Sequence, residues 1–168
     1  MDIYKLVKQY LDYLEIERGR SPKTRENYQR YLREFFDRAK IHSLNDMTEE
    51  KIKSFRMHLA RTGLKKVTQS YYIIAIRNFL KYLTRQGHPI VSPDRIELPK
   101  IPPRQIQVLE YSELERLLAA PNVRTSRGLR DKAILETFFS TGLRLSELCS
   151  LDRYQNWGKG EITVRGKG

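Results

Sequence analysis

Thr141-Gly-Leu-Arg-Leu-Ser-Glu-Leu148 is the stretch on which the reading of this chain turns. A glycine closes one apolar helical run, Arg144 follows two residues later, and Glu147 stands one helical turn beyond the arginine. Glycine takes the left-handed backbone that ends helices at little cost. Gly142 therefore predicts the stop of a helix running from about Gly128 to Thr141, and a further helix from near Leu143 to Leu151. Arg144 suits an anion, because its planar fork binds two phosphate oxygens and never loses its charge. A helix start also brings backbone N–H groups to bear on an anion. Glu147 is placed to lock the guanidinium or to share in proton handling. The same spacing describes an ordinary surface Arg–Glu pair, worth about 0.2–0.5 kcal/mol, and spacing alone does not separate the two.

Working outward, the preceding helix is apolar at Leu129, Ala133, Ile134, Leu135, Phe138 and Phe139. Ser112 with Glu115 reads as a capping box for a short helix ending near Ala120-Pro121. Downstream, Glu161-Ile-Thr-Val-Arg165 alternates like a strand and runs into the turn Gly166-Lys167-Gly168. Cys149 lies beside Leu148 and Leu151, where a small buried residue is expected rather than a reactive thiol. A single cysteine excludes an intramolecular disulfide and any cysteine-rich zinc site. His42, His58 and His88 show no metal-ligand spacing, so no metal site is expected.

Five of the seven prolines fall between Pro89 and Pro103. Proline removes backbone donors and biases its predecessor to extended forms, so residues 89–108 read as a linker between residues 1–88 and 109–168. Four helices are predicted before it. The first spans Ile3 to Glu17 with Ile3, Leu6, Val7, Tyr10, Leu11 and Leu14 on one face. The second opens at Ser21-Pro22 and carries Tyr28, Tyr31, Leu32, Phe35 and Phe36 in one stripe. The third starts at Thr48, with Glu49 and Glu50 suited to its dipole, and closes near Gly63. The fourth runs from Thr68 to Gln86, with Tyr72, Ile76, Phe79, Leu80 and Leu83 inward. Tyr28, Tyr71 and Tyr72 sit in helical patterns that favour core packing over base stacking. Residues 1–88 thus read as an all-helical bundle.

Lys and Arg number 32 against 20 Asp and Glu, a net charge of +12. Residues 1–100 hold 21 of those cations and 12 of the acids. Such an excess points to a polyanion partner, since each neutralised phosphate releases condensed counterions. No signal peptide and no apolar run of about 18 residues is present, so no membrane partner is expected and a reducing cytoplasm fits.

The run from Leu129 to Leu148 resembles the first signature box of the tyrosine recombinases, the phage-integrase family. Arg20-Ser-Pro-Lys-Thr-Arg-Glu-Asn-Tyr28 with Leu32 and Phe35 resembles the second helix of that family's core-binding domain. Thr68-Gln-Ser-Tyr-Tyr-Ile-Ile-Ala-Ile-Arg-Asn-Phe-Leu80 resembles its later DNA-facing helix. The resemblance implies a mainly α chain: a four-helix, SAM-like core-binding domain, the proline-rich linker, then the helical start of an α+β catalytic domain that ends in an unfinished β-hairpin. It implies the plan of Xer-type recombinases, which cut and rejoin DNA strands without a metal or nucleotide cofactor, as a tetramer of protomers on two duplexes. It makes Arg144 the first catalytic arginine, Glu147 its support, and Lys167 the general acid that expels the 5′-oxygen. By itself Gly-Lys-Gly also describes a solvated turn. Candidate contacts to double-stranded DNA are Lys23, Arg25, Lys65, Lys66, Thr68, Gln69 and Arg77, some of which are expected to be solvated helix-face groups.

No H-x-x-R box follows Arg144 in these 168 residues. Tyr154, the last tyrosine, precedes Lys167 and is out of order for a nucleophile. The resemblance therefore places the nucleophilic tyrosine well beyond residue 168, and this chain alone is expected to be inactive. A non-catalytic DNA-binding module that competes with an intact recombinase is the alternative. A helical protein-interaction domain is a third reading, separated from both by salt-sensitive binding to duplex DNA.

Overall fold

The computed structural model describes residues 2–101, 103, 105–152, 160–161 and 163–164. The chain divides into two compact units, Met1–Pro103 and Arg104–Gly168.

In the first unit, α1 spans Ile3–Asp12, α2 Pro22–Ala39, α3 Glu49–Arg61 and α4 Lys66–Arg85. Local chemistry sets their ends. Asp2 Oδ1 accepts from Tyr4 N–H at 3.0 Å, Ser21 Oγ from Thr24 N–H at 3.3 Å, and Thr48 Oγ1 from Lys51 N–H at 3.3 Å. Each satisfies a donor that a helix start leaves without an internal partner. At the other end of α4, Gly87 has φ +77°. Its N–H donates to Thr84 O and the N–H of His88 to Leu83 O, a Schellman closure.

The four helices share one core. Ile3, Leu32, Phe35, Phe79, Leu80 and Leu83 are fully enclosed, and Tyr10, Phe36, Ile52, Phe55 and Leu59 nearly so. Their spacing of three and four residues puts one stripe of each helix inward. Aromatic rings fill the centre in tilted pairs: Phe35 on Phe55 at 5.1 Å, Tyr10 on Phe79 at 5.2 Å, and Tyr31 on Tyr72 at 4.6 Å. Helices α2 and α4 run antiparallel. Asn78 Nδ2 donates to the Tyr28 hydroxyl at 2.9 Å, and the Tyr72 hydroxyl donates to Glu34 further along.

Three expectations change here. The first helix does not stay regular to Glu17: from Tyr13 to Glu17 it widens into a π turn, with Arg18 N–H reaching back to Tyr13 O at 3.1 Å. Tyr71, assigned to the core by periodicity, is 48% exposed, because its neighbour Tyr72 takes the inward position. The proline-rich segment is partly packed. Pro93–Arg95 forms a 3-10 turn, Pro93 is buried, and Ile96 enters the core at 3% exposure. Proline excludes an α-helix there but not a tight turn whose fixed φ suits its first position.

In the second unit, α5 spans Tyr111–Ala119, α6 Ser126–Thr141 and α7 Leu145–Cys149. The cap of α5 is Glu110 rather than Ser112: Glu113 accepts from Glu110 N–H at 3.0 Å, and Ser112 falls inside the helix. Thr125 Oγ1 caps α6 through Gly128 N–H at 3.0 Å. Gly128 has no room for a side chain, since a Cβ there would lie 1.9 Å from Asn122 O. Gly128 is also the one buried residue of this unit among those described. The apolar row of α6 is therefore only partly covered: Ile134, Leu135 and Phe138 are half-buried, while Leu129 is 55% and Phe139 57% exposed. Cys149, expected to be buried, is exposed as well, because α7 is one short helix with no layer over it among the described residues. The strand expected over residues 161–165 is not formed at Glu161, Thr163 or Val164. An extended segment gains a ladder only from a partner strand, and the described residues offer none. The turn at 166–168 lies outside the described residues.

Candidate functional site

The α6–α7 junction is built as its sequence dictates. Gly142 adopts φ +65° and donates its N–H to Phe138 O at 2.9 Å, which turns the chain out of α6. Leu143 N–H donates to Thr141 Oγ1 at 3.3 Å. Arg144 then stands in extended conformation as the N-cap of α7. Glu147 answers it twice: Oε2 accepts from Arg144 N–H and Oε1 from Nη1, both at 2.7 Å. The backbone donor and the guanidinium together hold the Glu147 carboxyl below the ordinary glutamate range. The Glu147 side chain is largely covered (12% exposed), while that of Arg144 remains 76% exposed. A guanidinium carries five N–H donors. With Nη1 on Glu147 and most of its surface open, Arg144 keeps donors for an oxyanion. Lys167 lies outside the described residues.

In the first unit six of the seven candidate DNA contacts fall at two ends of the bundle, with Arg77 midway along α4. Lys65, Lys66, Thr68 and Gln69 share the first turn of α4. Lys65 is its N-cap, Lys65 and Lys66 are exposed, and Gln69 folds back to donate Nε2 to Leu64 O at 2.7 Å. Lys23 and Arg25 lie in the first turns of α2, beside the far end of α4 because the two helices are antiparallel. At 1.5 Å per residue, the 20-residue α4 separates the groups by about 30 Å. The cations also differ in commitment. Lys23 pairs with Glu26 at 2.7 Å on open surface, whereas Arg25 meets Asp12 at 3.3 Å and Glu15 at 3.0 Å, tying α2 to α1 and its π turn. Arg77 donates Nε to Pro93 O at 3.2 Å and reaches Asp94 at 3.4 Å, which pins the 3-10 turn to α4. Lys65 and Lys66 have no ion pair among the described residues.

Two further cations were not legible in the sequence. Lys53 and Arg56, on α3, line one cleft with Met57, Ala60 and Gln69. The spacing 53, 56, 57, 60 marks one helix face, but only the packing of α3 on α4 sets that face beside Gln69.

Two family models match the chain: the phage integrase N-terminal SAM-like domain over residues 7–87, and the phage integrase family over residues 107–168. The chain belongs to the phage integrase family. Among curated relatives, the tyrosine recombinase XerC of Myxococcus xanthus is 37% identical over 97% of this chain and 56% of its own length. The tyrosine recombinase XerC of Pelotomaculum thermopropionicum is 32% identical over 98% of this chain and 57% of its own. That of Escherichia coli O157:H7 is 31% identical over 99% and 57%. This phage integrase family chain therefore spans less than two thirds of the length of the relatives it matches. A crystal structure of XerA recombinase is similar with a TM-score of 0.48 and 25% identity, over 97% of this chain and 56% of that one. No helix among the described residues is long and apolar enough to cross a membrane.

Proposed function

We propose that this chain is the DNA-binding portion of a site-specific tyrosine recombinase. It works on double-stranded DNA in the cytoplasm with other recombinase protomers, four on two duplexes in the full assembly. The observation that carries the reading is the doubly bonded Arg144–Glu147 pair at a glycine-terminated helix junction, with the rest of the guanidinium open. Displacement at a phosphodiester builds charge on the non-bridging oxygens, and a preorganised guanidinium meets that charge without reorganising. Glu147 is the positioning residue. Arg144 is the catalytic residue that touches the phosphate. A tyrosine oxygen attacks phosphorus, the 5′-oxygen leaves, and Lys167 supplies its proton. The resulting 3′-phosphotyrosyl bond is reversed by an incoming 5′-hydroxyl. The bond energy is conserved through the two steps, so neither a metal nor a nucleotide is required. The resemblance assigns the tyrosine to a position beyond residue 168, so these residues supply grip and charge rather than the nucleophile. Lys65, Lys66, Thr68 and Gln69, with Lys23 at the other end of the bundle, are the backbone contacts. Arg25 and Arg77 act mainly by holding the helices that present them.

The test is a nicked suicide duplex read as covalent protein–DNA adduct on a denaturing gel. The 168-residue chain alone should form none. Mixed with a separate polypeptide that carries the relatives' C-terminal portion, it should form adduct. Arg144→Ala should slow that reaction by about 10²-fold or more while leaving duplex binding nearly unchanged. Adduct from the chain alone, or undiminished adduct with Arg144→Ala, overturns the assignment.

A further inference from the structure

A cleft of about 270 Å³ opens where the π turn of the first helix meets the C-terminal half of α4. Tyr10 is one of the residues that line it. Tyr10 is 1% exposed, and its hydroxyl has no hydrogen-bond partner, a costly state for a buried donor. Around it stand Arg18, Arg20, Lys81 and Arg85. Two backbone features direct the first pair into the cleft: the π turn, and Gly19 at φ +57°, which reverses the chain so that Arg18 and Arg20 line the same space. Lys81 and Arg85 are one helical turn apart on α4. Among the described residues Arg18, Arg20 and Lys81 make no ion pair, and Arg85 donates only to the Tyr13 hydroxyl, at 3.3 Å. Among the described residues no acid lines the cleft, and the nearest acid charge felt there is Glu17, which with burial as the larger cause pushes the Tyr82 hydroxyl up.

We propose that this cleft is a binding pocket for a phosphate-type oxyanion, with the Tyr10 hydroxyl as its buried donor and Arg18, Arg20, Lys81 and Arg85 as its cations. The chemistry is selective. Tyrosine faces alone would suit a cation, but four positive side chains against one carboxylate exclude it. The volume lies just below the range of cavities for drug-sized ligands and suits a small anion. Burial pushes the Tyr10 hydroxyl far above its ordinary range, as do the Tyr28 and Tyr13 hydroxyls, with Arg20 opposing, so it stays a neutral donor. The pocket shares no residue with the cluster at the start of α4, and does not depend on the recombinase reading.

The experiment follows backbone amide shifts of the 168-residue chain during titration with inorganic phosphate, against sodium chloride at equal ionic strength. Saturable shifts confined to Arg18–Arg20, Lys81 and Arg85 are expected. Tyr10→Phe should weaken phosphate binding several-fold while leaving thermal stability unchanged or raised, since it deletes an unpaired buried hydroxyl. Lys81→Gln with Arg85→Gln should abolish the saturable component. Shifts that never saturate, that chloride reproduces, or that Tyr10→Phe leaves untouched overturn the proposal. A short DNA duplex added to the phosphate-saturated chain identifies the source of the anion. Displacement of phosphate assigns the pocket to a backbone phosphate of nucleic acid, and simultaneous binding assigns it to a free phosphate.

Discussion

Glu147 holds Arg144 at two points, the backbone N–H through Oε2 and the guanidinium through Oε1, each at 2.7 Å. One carboxylate thereby caps α7 and fixes the direction of the arginine. An i, i+3 pair on a helix surface ordinarily contributes a few tenths of a kcal/mol and leaves both side chains mobile. Here the backbone bond removes that freedom from the acid, and the acid removes it from one edge of the fork.

This bond has a pH signature. The carboxyl of Glu147 is held below the ordinary glutamate range by the Arg144 backbone N–H first and its guanidinium second. A carboxylate with a lowered folded-state pKa contributes stability that is complete above its unfolded value and is lost as pH falls through the folded one. The capped start of α7 should therefore persist at neutral pH and loosen only below about pH 4.3, the ordinary glutamate value. Carboxyl carbon shifts read by NMR should give Glu147 a lower midpoint than an unpaired glutamate. In Arg144→Ala the backbone donor remains, so the midpoint should rise only part of the way. Full return to the ordinary value would show that the backbone bond holds nothing.

Lys65 and Lys66 are free of ion pairs among the described residues, whereas Arg25 spans two carboxylates. Lys65→Ala with Lys66→Ala should reduce duplex affinity equally on unrelated sequences, and should lower the slope of log affinity against log salt by about 1.8, or about 0.9 per phosphate lost. Its melting temperature should hold. Arg25→Ala should show the reverse balance, with a stability loss of about 1 kcal/mol or less from its partly exposed pairs and a smaller change in salt slope. Fluorescence anisotropy over a salt series, beside thermal melts, separates them. Equal effects of both changes on the slope would make Arg25 a phosphate contact.

Ile96 sits in the core at 3% exposure, and Pro93 O receives the Arg77 Nε–H. A fragment of residues 1–103 should unfold cooperatively. A fragment of residues 1–88 should be less stable by about 1.5–3 kcal/mol, the value of burying one isoleucine side chain. Urea midpoints of the two fragments measure this. Equal midpoints would return residues 89–103 to the status of a linker.

Much of the first unit could be read without coordinates. Its helices are long, their apolar residues recur at three and four, and Ser21, Thr48 and Gly87 punctuate them with the side chains and backbone freedom that helix ends need. The Gly142–Arg144–Glu147 junction was legible for the same reason: a turn, a fork and an acid one helical turn away are local relationships, and local spacing encodes them. The π turn at Tyr13, the entry of Ile96 into the core, and the inward choice of Tyr72 over Tyr71 were decided by tertiary packing, which selects among conformations that the local sequence leaves nearly equal in energy. Packing also set the charges to work. The antiparallel α2 and α4 part Lys65 and Lys66 from Lys23, the first helix and the 93–95 turn bind Arg25 and Arg77 internally, and the π turn against α4 gathers Arg18, Arg20, Lys81 and Arg85 in one cleft. A charge's role depends on which opposite charge or dipole lies within a few ångströms, and that distance exists only once residues far apart in the chain have met.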